Sequence, residues 1–305
     1  NTETLGTLQL NTSATIQLGT GSHTLTFAAS NSQSWNGELL TINGWSGSEG
    51  GSGTGGRIFV GNNSNGLTAS QLAKIEFTGF GTGAILLSTG ELVPAVKIQV
   101  WKSGLFQASY STLKQTFDAI NAGTHTGALE IRLNKSTNEG SSAILNASGT
   151  GSANYSSINI FPTAANIIIS GSLNGNLIQL NGADNVRFDG RMNMEGAPSL
   201  SIINNNTGTD ARTIELINSA ENNAFEYLTI KGAGTETSIG TVNLSTSSAG
   251  NGNDNNVIAF CKISGISNTA RASNTIYSAG TSGRENIGNT IRNNEIFDFL
   301  SRSTN

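Results

Sequence analysis

The decapeptide "NGADNVRFDG" (181–190) gathers Asp184, Asn185, Arg187 and Asp189, and Arg191 and Glu195 follow closely. Carboxylates beside an arginine are the ingredients of a polysaccharide lyase, in which acids hold Ca²⁺ and an Arg or Lys takes a proton. An inverting glycosidase would instead need two carboxylates held about 6.5–9.5 Å apart, a relation that no spacing along a chain identifies. Asp189 and Arg191 are the best local candidates for ligand contact. Against them stands a plainer reading, a solvated turn carrying a local ion pair.

The other reactive side chains do not converge. His23 opens a strand pattern and His125 follows a helical one, with no third ligand near either, so no metal site is expected. Cys261 alternates with Val257, Ala259 and Ile263, which assigns it to an apolar face rather than to nucleophilic chemistry. A single cysteine also excludes a disulfide framework within the chain and a cysteine zinc cluster. The glycine-rich "SGSEGGSGTGG" (46–56) has no lysine and no helix after it, so it is an exposed loop and not a phosphate cradle. Trp35 and Trp45, with Trp101 and Tyr110, carry rings that could stack on pyranose faces, although such residues more often plug cores. No cofactor is implied.

The elements that position these residues must be strands. Charged residues make up 12% of the 305, aromatics 6%, and there are 38 glycines, a composition too poor in Leu, Glu, Lys and Arg for long amphipathic helices. Apolar β-branched clusters such as "IIIS", "TIELI" and "NVIAF" recur, which argues for an ordered chain. Net charge is −4 and basic residues are scattered, so no nucleic-acid footprint exists. No apolar run approaches the roughly 18 residues of a membrane helix. The opening "NTETLGTLQL" has no signal-peptide pattern, so any signal is expected upstream or already removed.

Residues 1–105 read as a β-rich module, sandwich-like or irregular, built of hairpins with wide loops. Its strands "SATIQL", "HTLTFAA" and "ELLTINGW" alternate apolar and polar residues. Thr68 and Gln71 have capping-box spacing, and "AVKIQVW" (95–101) reads as a strand leading out. Residues 106–126 form a connection containing one helix, "STLKQTFDAINAG" (111–123), with Leu113, Phe117 and Ile120 on one face. Thr112 and Gln115 suit its N-terminus, and it is expected to cover the open end of a β-core.

Residues 127–305 repeat. An acid–asparagine pair recurs at Asp184–Asn185, Glu221–Asn222, Asp254–Asn255 and Glu285–Asn286, at intervals of 37, 33 and 31 residues, each time between two apolar strands. Such a period signals a solenoid. In a parallel β-helix these pairs would stack at one corner, asparagine tolerating left-handed backbone and linking turns through its amide. The four pairs are therefore expected in register as a structural ladder, and the solenoid is expected to continue past residue 305.

The stretch from "TFDAINAGTHTGALEIRLNKSTNEG" through "LIQLNGADNVRFDG" resembles the start of right-handed parallel β-helix regions in large secreted surface proteins of Bacteroidetes, many of them similar to adhesins exported by type IX secretion. "LLTINGWSGS", "GRIFVGNNSNGLTASQLAKIEF" and "LLSTGELVP" are similar to a β-rich module of such proteins. The resemblance implies an extracellular or cell-surface location and contact with the type IX machinery. It departs from the family in showing no C-terminal sorting domain. The expected function is a non-enzymatic structural or adhesive protein that binds glycans or surfaces or self-associates into filaments. The alternatives are a pectate-lyase-like or glycosidase β-helix enzyme, or a glycan-binding module.

Overall fold

The computed structural model describes residues 1–37, 39–248 and 250–300. The chain is 43% strand and 5% helix, with parallel stacked sheets forming a β-solenoid of about eight turns. It divides into two compact units, Asn1–Val96 and Lys97–Asn305.

In the second unit each turn visits three parallel sheets. The first sheet stacks Thr126–Leu133, Asn154–Pro162, Val186–Asp189, Ala224–Glu226, Val257–Ala259 and Thr290–Arg292. The second runs from Thr137–Glu139 to Glu295–Phe297, and the third from Ala143–Asn146 to Ile276–Ser278. Parallel pairing places like residues above one another. Ile131, Ile160, Phe188, Phe225 and Ile258 form one inward column. Ile169, Ile202, Ile230 and Ile263 form a second, and Leu145, Leu180, Leu216 and Leu244 a third. Phe188 and Phe225 stack with centroids 5.2 Å apart. Burying each such side chain stabilises the stack by roughly 1.5–3 kcal/mol.

The start of this stack is covered by the helix Leu113–Asn121, whose Leu113, Phe117 and Ile120 are fully buried. Thr112 accepts from the Gln115 amide at 3.1 Å. The buried carboxylate of Glu139 accepts from the amides of Leu113 and Lys114 at 2.9 and 3.0 Å, satisfying two donors the first helical turn leaves open. Asn121 ties the helix to the first turn by donating to Ile144 O and accepting from Asn146 N, both at 2.9 Å. The strand Ile98–Lys102 leads out of the first unit into the second. It pairs antiparallel with Thr126–Leu133, sending Ile98 and Val100 into the second unit's core.

The first unit is built mostly of parallel pairs, with hairpins confined to residues 75–94. Thr2–Thr7, His23–Ala28 and Gly56–Val60 pair in parallel, as do Ala14–Gln17, Leu40–Asn43 and Ile75–Phe77. Among the described residues, Gly81–Thr82, Ala84–Leu86 and Glu91–Pro94 add the antiparallel pairs. Alternating burial produces the same residue pattern in both strand directions, so the period alone left direction open. Thr68 and Gln71 form a reciprocal capping box on the short helix Ala69–Leu72. The loop 46–56 is clipped from below by the buried Glu91, which accepts from Ser52 Oγ at 2.6 Å and Gly53 N at 2.8 Å.

Candidate functional site

The acid–asparagine pairs lie at the corner joining the third sheet to the first. Asn185, Asn222 and Asn255 hold left-handed φ values of 59°, 57° and 56°, and each amide donates to the carbonyl of the next turn's corner residue, Glu221, Asp254 and Ile287 respectively. The acids work between turns as well. Asp184 accepts from Glu221 N at 2.7 Å and Asp254 from Ile287 N at 2.8 Å. Burial raises the carboxyl of Asp184, the Glu221 amide opposes that, and the Glu221 carboxylate adds to it.

The fourth pair is out of step. Val257 pairs with Thr290, which puts Ile287 and Gly288, not Glu285 and Asn286, opposite Asp254 and Asn255. Gly288, at φ 67°, supplies the left-handed corner that asparagine supplies elsewhere. Asn286 sits opposite Asn253 instead, accepting from its backbone amide at 2.8 Å and its side-chain amide at 3.0 Å.

The buried amide ladder stands one residue past the expected one. Asn223 and Asn256 are 1% and 2% exposed. Asn223 donates its backbone and side-chain amides to Asn256 Oδ1, both at 3.0 Å, and Asn256 N donates to Asn289 Oδ1 at 2.8 Å. Their side-chain amides reach back to the carbonyls of Ala183 and Ala220 at 2.9 Å. The sequence signal was the third letter of "ENN" and "DNN". A more exposed ladder joins Asn146, Asn181 and Asn218.

Asp189 and Arg191 occupy the corner between the first and second sheets. The Asp189 carboxylate is 1% exposed and accepts from Arg191 N, Nε and Nη2 at 3.0, 2.9 and 2.7 Å. Arg187 lies 3.0 Å from Asp189 and 2.9 Å from Glu226, so two cations meet two anions. Burial pushes the Asp189 carboxyl up, but hydrogen bonds from Arg191 and the charges of both arginines outweigh it and hold the carboxyl below its usual range. The hydrogen bond to Asp189 raises Arg191, moving it further from service as a base.

The same corner carries an external stack. Arg191 lies 4.0 Å over the ring of Tyr227, Tyr227 stacks on Phe260 with centroids 4.8 Å apart, and Arg292 lies 4.8 Å over Phe260. Tyr227 and Phe260 reach outward because both take left-handed φ, 57° and 56°. One turn earlier, a Cβ on Gly190 would come within 1.9 Å of the Tyr227 carbonyl oxygen, which explains the glycine there. Glu195 is exposed and outside this network.

Trp35 and Trp45 do not face solvent. They are 8% and 6% exposed in the first unit's core, with Trp35 donating to Leu8 O at 3.2 Å and Trp45 packed edge-on against Phe77 and Phe80. Neither ring offers a sugar a face. His125 is buried against Tyr110, whose hydroxyl is 2.7 Å from Nε2, and burial lowers this imidazole. Cys261 is 1% exposed and burial pushes its thiol up to about 11. Sequence reasoning missed the buried carboxylates Glu91, Glu139 and Glu215. Glu215 accepts from Arg212 and Gln179, both at 2.6 Å. Among the described residues no three His, Cys, Asp or Glu side chains are grouped to hold a metal ion.

The geometry is thus that of a surface whose charges and amides link successive turns. Searches of protein-family models, of curated proteins and of solved structures found no match to this chain.

Proposed function

We propose that the chain is a non-enzymatic structural and adhesive module of the cell exterior, of the kind its sequence resembles among type IX-exported surface proteins of Bacteroidetes. One observation supports this reading most. The polar groups that could do chemistry are spent within the stack, joining turns in the Asn223–Asn256–Asn289 ladder and the Arg187–Glu226 pair and closing a corner in the Asp189–Arg191 pair. A stack of turns joined through side chains as well as backbone resists shear and presents repeated corner residues to a ligand or a sister subunit. Assembly into filaments belongs to the same proposal.

Surface biotinylation of intact producing cells should label the chain, and the purified protein should bind surfaces while leaving acidic polysaccharides intact in the presence of Ca²⁺. Unsaturated products or new reducing ends, abolished by Asp189→Ala, would overturn the non-enzymatic part. Failure to label at the surface would overturn the location.

A further inference from the structure

The first unit contains a trough that nothing so far accounts for. A cavity of about 400 Å³ is lined by Ser22, His23, Thr24, Thr54 and Arg57 together with the backbone of Gly53 and Gly55. A neighbouring cavity of about 490 Å³ shares Ser22, His23 and Thr24 and adds Glu3, Gln17, Ile16 and Leu25. Both volumes lie in the range of small-molecule sites.

The first cavity is cationic and hydroxylated, with no carboxylate in the lining. Arg57 makes no ion pair among the described residues; its guanidinium rests 5.8 Å from the Phe59 ring. The hydroxyls of Ser22 and Thr24 likewise have no hydrogen-bond partner among the described residues. The walls are held in place beforehand. Glu91 fixes Ser52 and Gly53, Thr54 N donates to Ser46 O at 2.7 Å, and His23 Nδ1 lies 3.1 Å from Gly21 O. A Cβ on Gly56 would lie 2.5 Å from the His23 ring, so glycine there is what leaves room for the imidazole. The neighbouring cavity, with Ile16, Leu25, Gln17 and Glu3, opens on the other face of these strands, since Leu25 and Glu3 alternate with Thr24 and Arg57.

A free guanidinium beside open hydroxyls suits one chemistry: an anionic group on a ring that also carries hydroxyls. We propose that this trough binds an acidic saccharide, with Arg57 holding its sulfate or carboxylate and Ser22 and Thr24 its hydroxyls. The inference stands apart from the structural reading of the solenoid, since a trough that binds saccharide does so whether or not the chain bears load or sits on a cell.

The test is calorimetric titration of the full chain with three oligosaccharides: chondroitin sulfate, oligogalacturonate and neutral dextran. Binding of at least one charged probe and none of dextran is expected, the preferred probe telling sulfate from carboxylate. Arg57→Gln should weaken binding about tenfold, the effect of losing one charge-assisted contact. Thr24→Val, which keeps the shape of the wall, should weaken it severalfold. Lys262→Gln, in the other unit, should leave it unchanged. No binding of either charged probe at millimolar concentration, equal binding of dextran, or parental affinity in both trough variants that retain the parental circular dichroism spectrum would overturn the proposal.

Discussion

Replacing Asn256 by alanine removes the middle of the buried ladder, and the cost can be worked from its contacts. Asn256 Oδ1 accepts from the Asn223 backbone amide and from Asn223 Nδ2, and its own Nδ2 donates to Ala220 O. The Asn256 backbone amide keeps its bond to Asn289. The substitution therefore leaves one buried N–H, one side-chain N–H and one carbonyl without partners. Each such group costs about 1–3 kcal/mol, and a water entering the vacated space recovers part of that, so the net loss is about 3–5 kcal/mol. At roughly 2–4 °C per kcal/mol for a unit of this size, the melting temperature falls by about 6–20 °C. The neighbour supplies the control. Asn255 is exposed at φ 56°, where glycine is at ease, so Asn255→Gly should move the midpoint by only a few tenths of a kcal/mol. Urea unfolding followed by far-ultraviolet circular dichroism measures both. A loss in Asn256→Ala no larger than in Asn255→Gly would refute the claim that the ladder one residue past the acid–asparagine pair is what joins the turns.

Other consequences concern single carboxylates and the thiol. Asp189 has a folded carboxyl below its unfolded value, so its contribution is complete above the ordinary aspartate range and is lost as pH falls through the lowered folded value. Asp189→Asn should remove about 2–3 kcal/mol at neutral pH and flatten that acid limb of a melting-temperature profile, and an unchanged limb would count against the ion pair. Asp184 runs the other way. Its folded carboxyl is raised, so the charge opposes folding above the unfolded value, and Asp184→Asn, which keeps the acceptor for Glu221 N, should raise the melting temperature at pH 7 and lose that advantage in acid. Cys261 should react with a thiol reagent at pH 8 only as fast as the second unit opens, so labelling should accelerate in parallel with urea-induced unfolding.

Much of the architecture could be read from residue order because solenoid physics is periodic. Leu113, Phe117 and Ile120 marked the covering helix, and three of the four acid–asparagine pairs marked one corner, since a left-handed residue at each turn favours asparagine or glycine. That same tolerance hid the register of the last turn, where Gly288 does the work and Asn286 serves a different column. Strand direction in the first unit stayed hidden because half-burial alternates identically in both directions. Buried carboxylates such as Glu139 were invisible for another reason. A glutamate in "STNEG" looks solvated until a helix from elsewhere in the chain lays its first amides on it. The candidate corner was legible only in part. Asp189 and Arg191 lie two residues apart in sequence, while Tyr227, Phe260 and Arg292 join them only through stacking of turns.

The stacking of the second unit rests on one register, in which Ser201 and Thr229 point outward on neighbouring turns of the second sheet as direct partners. With Cys261 replaced by alanine, Ser201→Cys combined with Thr229→Cys should form a disulfide on mild oxidation, because directly opposed strand residues meet the geometry a disulfide needs. Ser201→Cys combined with Lys231→Cys, two residues out of step, should not. Cross-linking of the second pair in place of the first, or of neither in the folded protein, would contradict the stacked solenoid itself.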